Sequence, residues 1–150
     1  RQMCIRDRCE EGDATYWDRA ALYALRGSFA QGFTEKAWPQ LAAYTRNRLL
    51  GERAPYPIEA WPEGGMRHLS GESALYCRII TEGILGIEPL GLHRFALTPR
   101  YLPGMESWSL ENIHAFGTVF TICIDGKSCR VVSEHGSLNV PMEERSVVEF

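Results

Sequence analysis

The sequence predicts an α+β protein in which helices come first and antiparallel strands follow. Three observations carry this reading. Apolar residues recur at helical spacing from residue 17 to about residue 85, and after Ile87 the period becomes alternating. Between the second and third helical stripes lies a polar segment, residues 52–69, broken by proline and glycine.

The first helix is expected over residues 17–31, where Trp17, Ala20, Ala21, Ala24, Leu25 and Phe29 form a stripe and Gly32 can end it in a left-handed conformation. Thr34 offers an N-cap for a second helix with Trp38, Leu41, Ala42, Leu49 and Leu50 as its stripe, ending at Gly51. Because proline has no amide hydrogen, the regular part is expected to start at Trp38, with Pro39 in the first helical position. Residues 52–69 hold Pro55, Pro57 and Pro62 and read as an irregular connection, long for a plain helix link. Ser70 then caps a third helix through Leu75, Ile79, Ile80 and Ile84 to about Leu85, with Gly86 as its stop. The other face of this helix carries Ala74, Cys77 and Gly83 rather than charges, so it is expected to be covered on most sides.

Beyond Ile87 the strand-like runs are Phe95-Ala-Leu-Thr98, Trp108-Ser-Leu-Glu-Asn-Ile113, Val119-Phe-Thr-Ile-Cys-Ile124, Cys129-Arg-Val-Val-Ser133 and residues 146–150. Asp125-Gly126 is a type I′ hairpin signal, and His135-Gly136 marks a further turn. A two-residue Asp125-Gly126 loop sets Ile124 opposite Lys127 and Ile122 opposite Cys129, which puts Cys123 and Cys129 on opposite faces. The domain reading is thus helices over residues 9–87 and a small antiparallel β domain over residues 88–150.

At 150 residues, 45% hydrophobic and 23% charged, the chain has globular composition and room for one or two modest cores. A net charge of -3 and the lack of a Lys/Arg block argue against a nucleic-acid partner. No run approaches the roughly 18 apolar residues of a membrane span, so no membrane is expected either. Arg1-Gln-Met-Cys-Ile-Arg-Asp-Arg8 resembles the translation of a sequencing adapter and is set aside from fold reasoning, the alternative being a charged N-terminal tail. On the adapter reading this is a C-terminal piece whose signal region and compartment are unseen. The five cysteines form neither a disulfide framework nor a zinc spacing, and Cys77 is expected to pack in its helix as a small hydrophobe. No metal or other cofactor is expected.

The densest chemistry lies in Glu59-Ala-Trp-Pro-Glu-Gly-Gly-Met-Arg-His-Leu-Ser-Gly-Glu-Ser73, with three carboxylates, an Arg, a His and a Trp. A connector needs Pro and Gly for its backbone angles, but it does not need this density of ionisable groups.

From Ser70-Gly-Glu-Ser-Ala-Leu-Tyr-Cys-Arg-Ile-Ile-Thr-Glu-Gly-Ile-Leu-Gly-Ile87, through Phe95-Ala-Leu-Thr-Pro-Arg100, to Phe120-Thr-Ile-Cys-Ile124, the chain resembles the C-terminal end of six-hairpin glycosidases. That superfamily includes glucoamylases, trehalases, rhamnosidases and disaccharide phosphorylases. The resemblance covers roughly residues 15–150 and implies the last helices of an (α/α)6 toroid followed by a β-sandwich. It also implies a catalytic base in the loop before the last helix, a position that Glu59 matches ahead of Leu69-Ser70. The surrounding Glu59-Ala-Trp departs from the family's usual residues there, and the partner acid would lie on a missing upstream hairpin of the same chain.

An inverting glycosidase needs one carboxylic acid for the leaving oxygen and one carboxylate for the water, about 6.5 to 9.5 Å apart. Such a pair spans a cleft, which argues against Glu59 pairing with Glu63. Glu59 is therefore the first candidate base and Glu63 the second, against a reading of both as solvated or structural loop carboxylates. Trp61 is either a stacking platform for a sugar ring or a plug for the loop. Arg67 either orients Glu59 or grips substrate, or it pairs with Glu63 or Glu72, while His68 is either structural or a hydrogen-bond partner of the sugar. Glu72, in the first turn of its helix, either gains from the helix dipole or binds a sugar hydroxyl. Trp17 and Asp18 can line the same mouth, and Ser73 and Tyr76 can contribute hydroxyls.

The leading expectation is the C-terminal part of a glycoside hydrolase acting with inversion on an oligo- or polysaccharide. A phosphorylase would instead use Ser70, Ser73, Arg67 and His68 to hold phosphate at a helix N-terminus. A non-catalytic carbohydrate-binding module on residues 88–150 is the third possibility. With one carboxylate of the required pair absent, the 150-residue chain alone should show no glycosidase turnover; measurable turnover in a reducing-sugar assay would contradict this.

Overall fold

The computed structural model describes residues 10–11, 15–50, 60–61 and 70–150, and the chain is α+β, with helices leading and antiparallel strands following. It divides into two compact units between Gly83 and Ile84, slightly before the boundary read from the sequence.

In the first unit, α1 (Asp18–Ala30) buries Asp18, Ala21, Leu22, Leu25 and Phe29. This stripe is turned from the expected one: Leu22 replaces Ala24, which is exposed, because the buried line 18-22-25-29 includes a polar residue. The helix ends as expected at Gly32, with φ 79. Phe33 N–H donates to the Ser28 carbonyl and Gly32 N–H to that of Phe29, both at 2.9 Å, the Schellman pair that a left-handed residue permits.

The second helix, α2, spans Thr34–Arg48 with Pro39 inside it, so the start expected at Trp38 is corrected to Thr34. Phe33 occupies the N-cap without a side-chain bond, and its carbonyl accepts from Lys36 and Ala37 at 3.1 and 3.0 Å. The buried line Thr34, Ala37, Leu41, Tyr44 and Arg48 begins before Pro39, so packing along it opposes the break that proline favours. Leu50, expected on the stripe, is 65% exposed, and Gly51 lies outside the described residues.

A third helix, α3 (Ser70–Arg78), continues as a π-helical turn over Ile79–Ile84. Gly86 follows it with φ 64, and a Cβ there would lie 2.7 Å from the Thr98 carbonyl oxygen, so only glycine fits. Leu75 and Ile79 are buried, but Ala74 and Cys77 are exposed, which corrects the expectation that this helix is covered on most sides and that Cys77 packs inside. The helical unit also holds three short antiparallel strands that helical periodicity does not announce: β1 (Glu10–Glu11), β2 (Thr15–Trp17) and β3 (Ala60–Trp61), in the order β1-β2-β3.

The second unit has two antiparallel sheets. One is ordered β10-β5-β4, from β4 (Glu88–Gly91), β5 (Arg94–Leu97) and β10 (Ser146–Glu149); the other is a meander of β6 (Ser107–Ala115), β7 (Thr118–Asp125), β8 (Ser128–Ser133) and β9 (Gly136–Pro141). Alternating residues Phe120, Ile122 and Ile124 of β7 join Phe95, Leu97, Cys129, Val131, Val140 and Val148 in one apolar core drawn from both sheets. The β7–β8 loop is Gly126-Lys127, one residue later than the expected Asp125-Gly126, which corrects the register: Asp125 lies opposite Ser128, and Ile124 rather than Ile122 lies opposite Cys129. Gly126 alone has positive φ there, as a type II′ loop requires at its first position. Each residue's partner changes by two positions, an even slip that preserves the faces, so Cys129 is buried and Cys123 lies on the other face.

Phe120 is 1% exposed and stacks on Phe95 with centroids 5.2 Å apart, whereas its neighbour Val119 is 43% exposed. Phe120→Ala should therefore lower the stability of the β unit by about 3–5 kcal/mol, and Val119→Thr by no more than about 0.5 kcal/mol, in urea unfolding. Equal losses would contradict the assigned faces.

Candidate functional site

Each of the three helices carries an ionisable residue on its buried line, and side-chain bonds from the start of α1 link the helices: Asp18 with Arg48 of α2 and Arg19 with Glu72 of α3. Asp18 starts the line of α1, Arg48 ends that of α2, and Glu72 stands in the first turn of α3. Asp18 and Glu72 have no solvent exposure and Arg48 is 8% exposed. The N-termini of α1 and α3 and the C-terminus of α2 therefore form one polar junction beneath an otherwise apolar helical core.

Asp18 Oδ2 accepts from Arg48 Nε at 3.1 Å and from the Tyr44 hydroxyl at 3.3 Å. Next along α1, Arg19 donates through Nε to Glu72 Oε1 at 2.7 Å, with its Nη2 2.6 Å from the same oxygen. Glu72 Oε2 is buried without a hydrogen-bond partner among the described residues. The Tyr76 hydroxyl lies 2.8 Å from Thr45 Oγ1, and the Tyr76 ring stacks on Tyr44 with centroids 6.3 Å apart. Burial first, then the charge of Asp18 and the hydrogen bond to it, push the Tyr44 hydroxyl well above the usual tyrosine range, partly opposed by Arg48. Tyr44 is thus a fixed proton donor to Asp18 at any ordinary pH.

A backbone ladder connects this junction with the acid-bearing segment. In the β2–β3 pair Trp17 lies opposite Ala60 and Tyr16 opposite Trp61, and β2 runs directly into Asp18. Ala60 is the residue after Glu59, so the segment singled out in the sequence arrives at the start of α1. Of the site residues expected from the sequence, Glu59, Glu63, Arg67 and His68 lie outside the described residues. Trp17 and Trp61 lie on the paired strands β2 and β3 at successive ladder positions, opposite Ala60 and Tyr16 respectively, and Glu72 and Tyr76 belong to the junction. Ser73 is half-buried on α3.

Arg19, Tyr44 and Arg48 were not among the expected site residues. Their signal was present: Ala37, Leu41, Tyr44 and Arg48 follow helical spacing, and an Arg on a buried line needs an anion facing it. Among the described residues no group of three or more His, Cys, Asp or Glu is placed to hold a metal ion, and no helix is long and apolar enough to cross a membrane. No protein-family profile, curated protein or solved structure matches the chain.

Because the pKa of Tyr44 is raised on folding, the stability it contributes is fully present below the unfolded value of 10.0 and is lost as pH rises beyond it. Wild type should lose about 1.4 kcal/mol per pH unit above 10 from this group, a component that Tyr44→Phe lacks, in urea unfolding from pH 9 to 11. Identical slopes would contradict the assigned environment.

Proposed function

We propose that this chain carries the closing helical hairpins of an (α/α)6-toroid glycoside hydrolase, followed by its β-sandwich. Glu59 is the general base and an upstream carboxylic acid the proton donor. The observation that supports this reading best is the pairing of Ala60–Trp61 with the strand that enters α1. This ladder sets Ala60, the residue after Glu59, beside the strand that enters α1, at the end of that helix where Asp18 is buried. Glu59 would take a proton from the attacking water while the acid, across the cleft, protonates the leaving oxygen. Trp61 would offer its indole face to the sugar ring, Arg67 and His68 would bind hydroxyls, and the substrate would be an oligo- or polysaccharide.

A phosphorylase built around phosphate at the start of α3 has less support. Glu72 sets a buried carboxylate in that first turn, where it would repel a phosphate dianion and already complements the helix dipole.

In the full-length protein, assayed on a panel of nitrophenyl glycosides and oligosaccharides, Glu59→Gln should lower kcat by roughly 10³-fold with KM within a few-fold. Glu63→Gln should stay within about tenfold of wild type, and inorganic phosphate should not alter the products. Near-normal turnover by Glu59→Gln, or phosphate-dependent product formation, would contradict the proposal.

A further inference from the structure

We infer that β9 is a docking edge to which a second copy of this chain adds its own β9, antiparallel and about a twofold axis.

The two sheets of the β unit have four edge strands, and three of them are blunted. Strand β4 carries Glu88 and Pro89 and breaks register between Pro89 and Gly91. In β6 the register breaks between Leu110 and Ile113, with Glu111 inside the break, and β10 is four residues long and ends on Glu149. Charge, proline, bulges and shortness are the usual means of keeping a free edge from pairing. Strand β9 reads Gly-Ser-Leu-Asn-Val-Pro, six residues without a charge, in unbroken register with β8 from Gly136 to Pro141. Leu138 lies opposite Val131, on the face that packs the core, yet it is 45% exposed, whereas Val140 on the same face is buried.

Alternation along the ladder identifies the free backbone groups. Proline has no N–H to exchange, so Pro141 and Ser128 form a non-bonded pair. By alternation Val140, Leu138 and Gly136 bond to β8, while Ser137 and Asn139 turn their N–H and C=O groups outward. In an antiparallel pair of two copies, Ser137 of each strand therefore exchanges both bonds with Asn139 of the other. This register sets Leu138 directly on Leu138, so each covers the other's exposed side chain. The nearest carboxylates, Glu134 and Glu143, fall opposite Met142 and Ser133, so no like charges meet. Pairing occupies β9 in both copies and the remaining edges are blunted, so the assembly closes at two rather than growing into a fibre.

In sedimentation equilibrium of the 150-residue chain up to about 1 mM, wild type should populate a dimer as concentration rises. Leu138→Lys and Leu138→Asp each set like charges on one another across the axis and should raise the dissociation constant at least about tenfold. An equimolar mixture of the two should recover the dimer, because position 138 faces position 138. Val119→Lys, at a similarly exposed apolar residue outside β9, should leave the dimer unchanged. In wild type, amide exchange at Ser137 and Asn139 should slow severalfold from dilute to concentrated solution. A wild type that stays monomeric overturns the proposal and leaves the edge to an extended segment of a different protein. A dimer indifferent to both charges, or a mixture no tighter than its components, also overturns it. Should either variant fail to fold, the Ser137 and Asn139 amides decide alone, and exchange independent of concentration overturns the pairing.

Discussion

The helical unit depends on one buried ion pair, Asp18 with Arg48, completed by the Tyr44 hydroxyl. Two charges taken out of water each cost several kcal/mol, and their attraction compensates only where the geometry is good and further hydrogen bonds are made. Apolar residues of similar size would hold the same helix ends at no greater cost. What the pair adds is direction: an apolar contact tolerates sliding, whereas Arg48 Nε and Tyr44 OH both need the same carboxylate oxygen. The first turn of α1 is therefore held in one place, and the β2–β3 ladder inherits that place. This constraint relates a helix stripe to the backbone of Ala60–Trp61.

The β unit is held by other means. Its core is apolar, built around Phe95, Phe120 and the alternating residues of β7, with Phe116 stacked on Phe95 and Phe150 packed at a tilt against Phe120. The Cys129 thiol lies within it, and burial, followed by the nearby Cys123, pushes its pKa up to about 11. Such a thiol stays protonated near neutral pH and packs as a small hydrophobe. The contrast is chemical: one unit gathers buried charge at the ends of its helices, and the other excludes it.

Much of the fold was legible because it rests on local rules. Gly32 announced the end of α1, Gly86 the end of the third helix, and Phe120, Ile122 and Ile124 the inward face of β7. The failures came where tertiary packing outweighs those rules. Pro39 suggested a later start for α2, yet burial of Ala37 carries the helix through it. Strand β9 was unexpected because it is an edge strand with only Val140 buried and Pro141 at its end. Strand β3 is two residues long inside a proline-rich segment and has no periodicity to display. At the site, Glu72 and Tyr76 were found through their nearness to an unusual loop, whereas Arg19, Tyr44 and Arg48 were passed over because a stripe search counts apolar residues only. An ionisable residue at helical spacing on an apolar line is the better clue, since its burial requires a partner.

The most direct test is a crystal structure of the full-length protein with a bound oligosaccharide, measuring the distance from the Glu59 carboxylate to the water facing the anomeric carbon. The account predicts a separation of about 2.6–3.2 Å, with the sugar ring against Trp61. A Glu59 carboxylate turned into bulk solvent, away from any bound sugar, would contradict it.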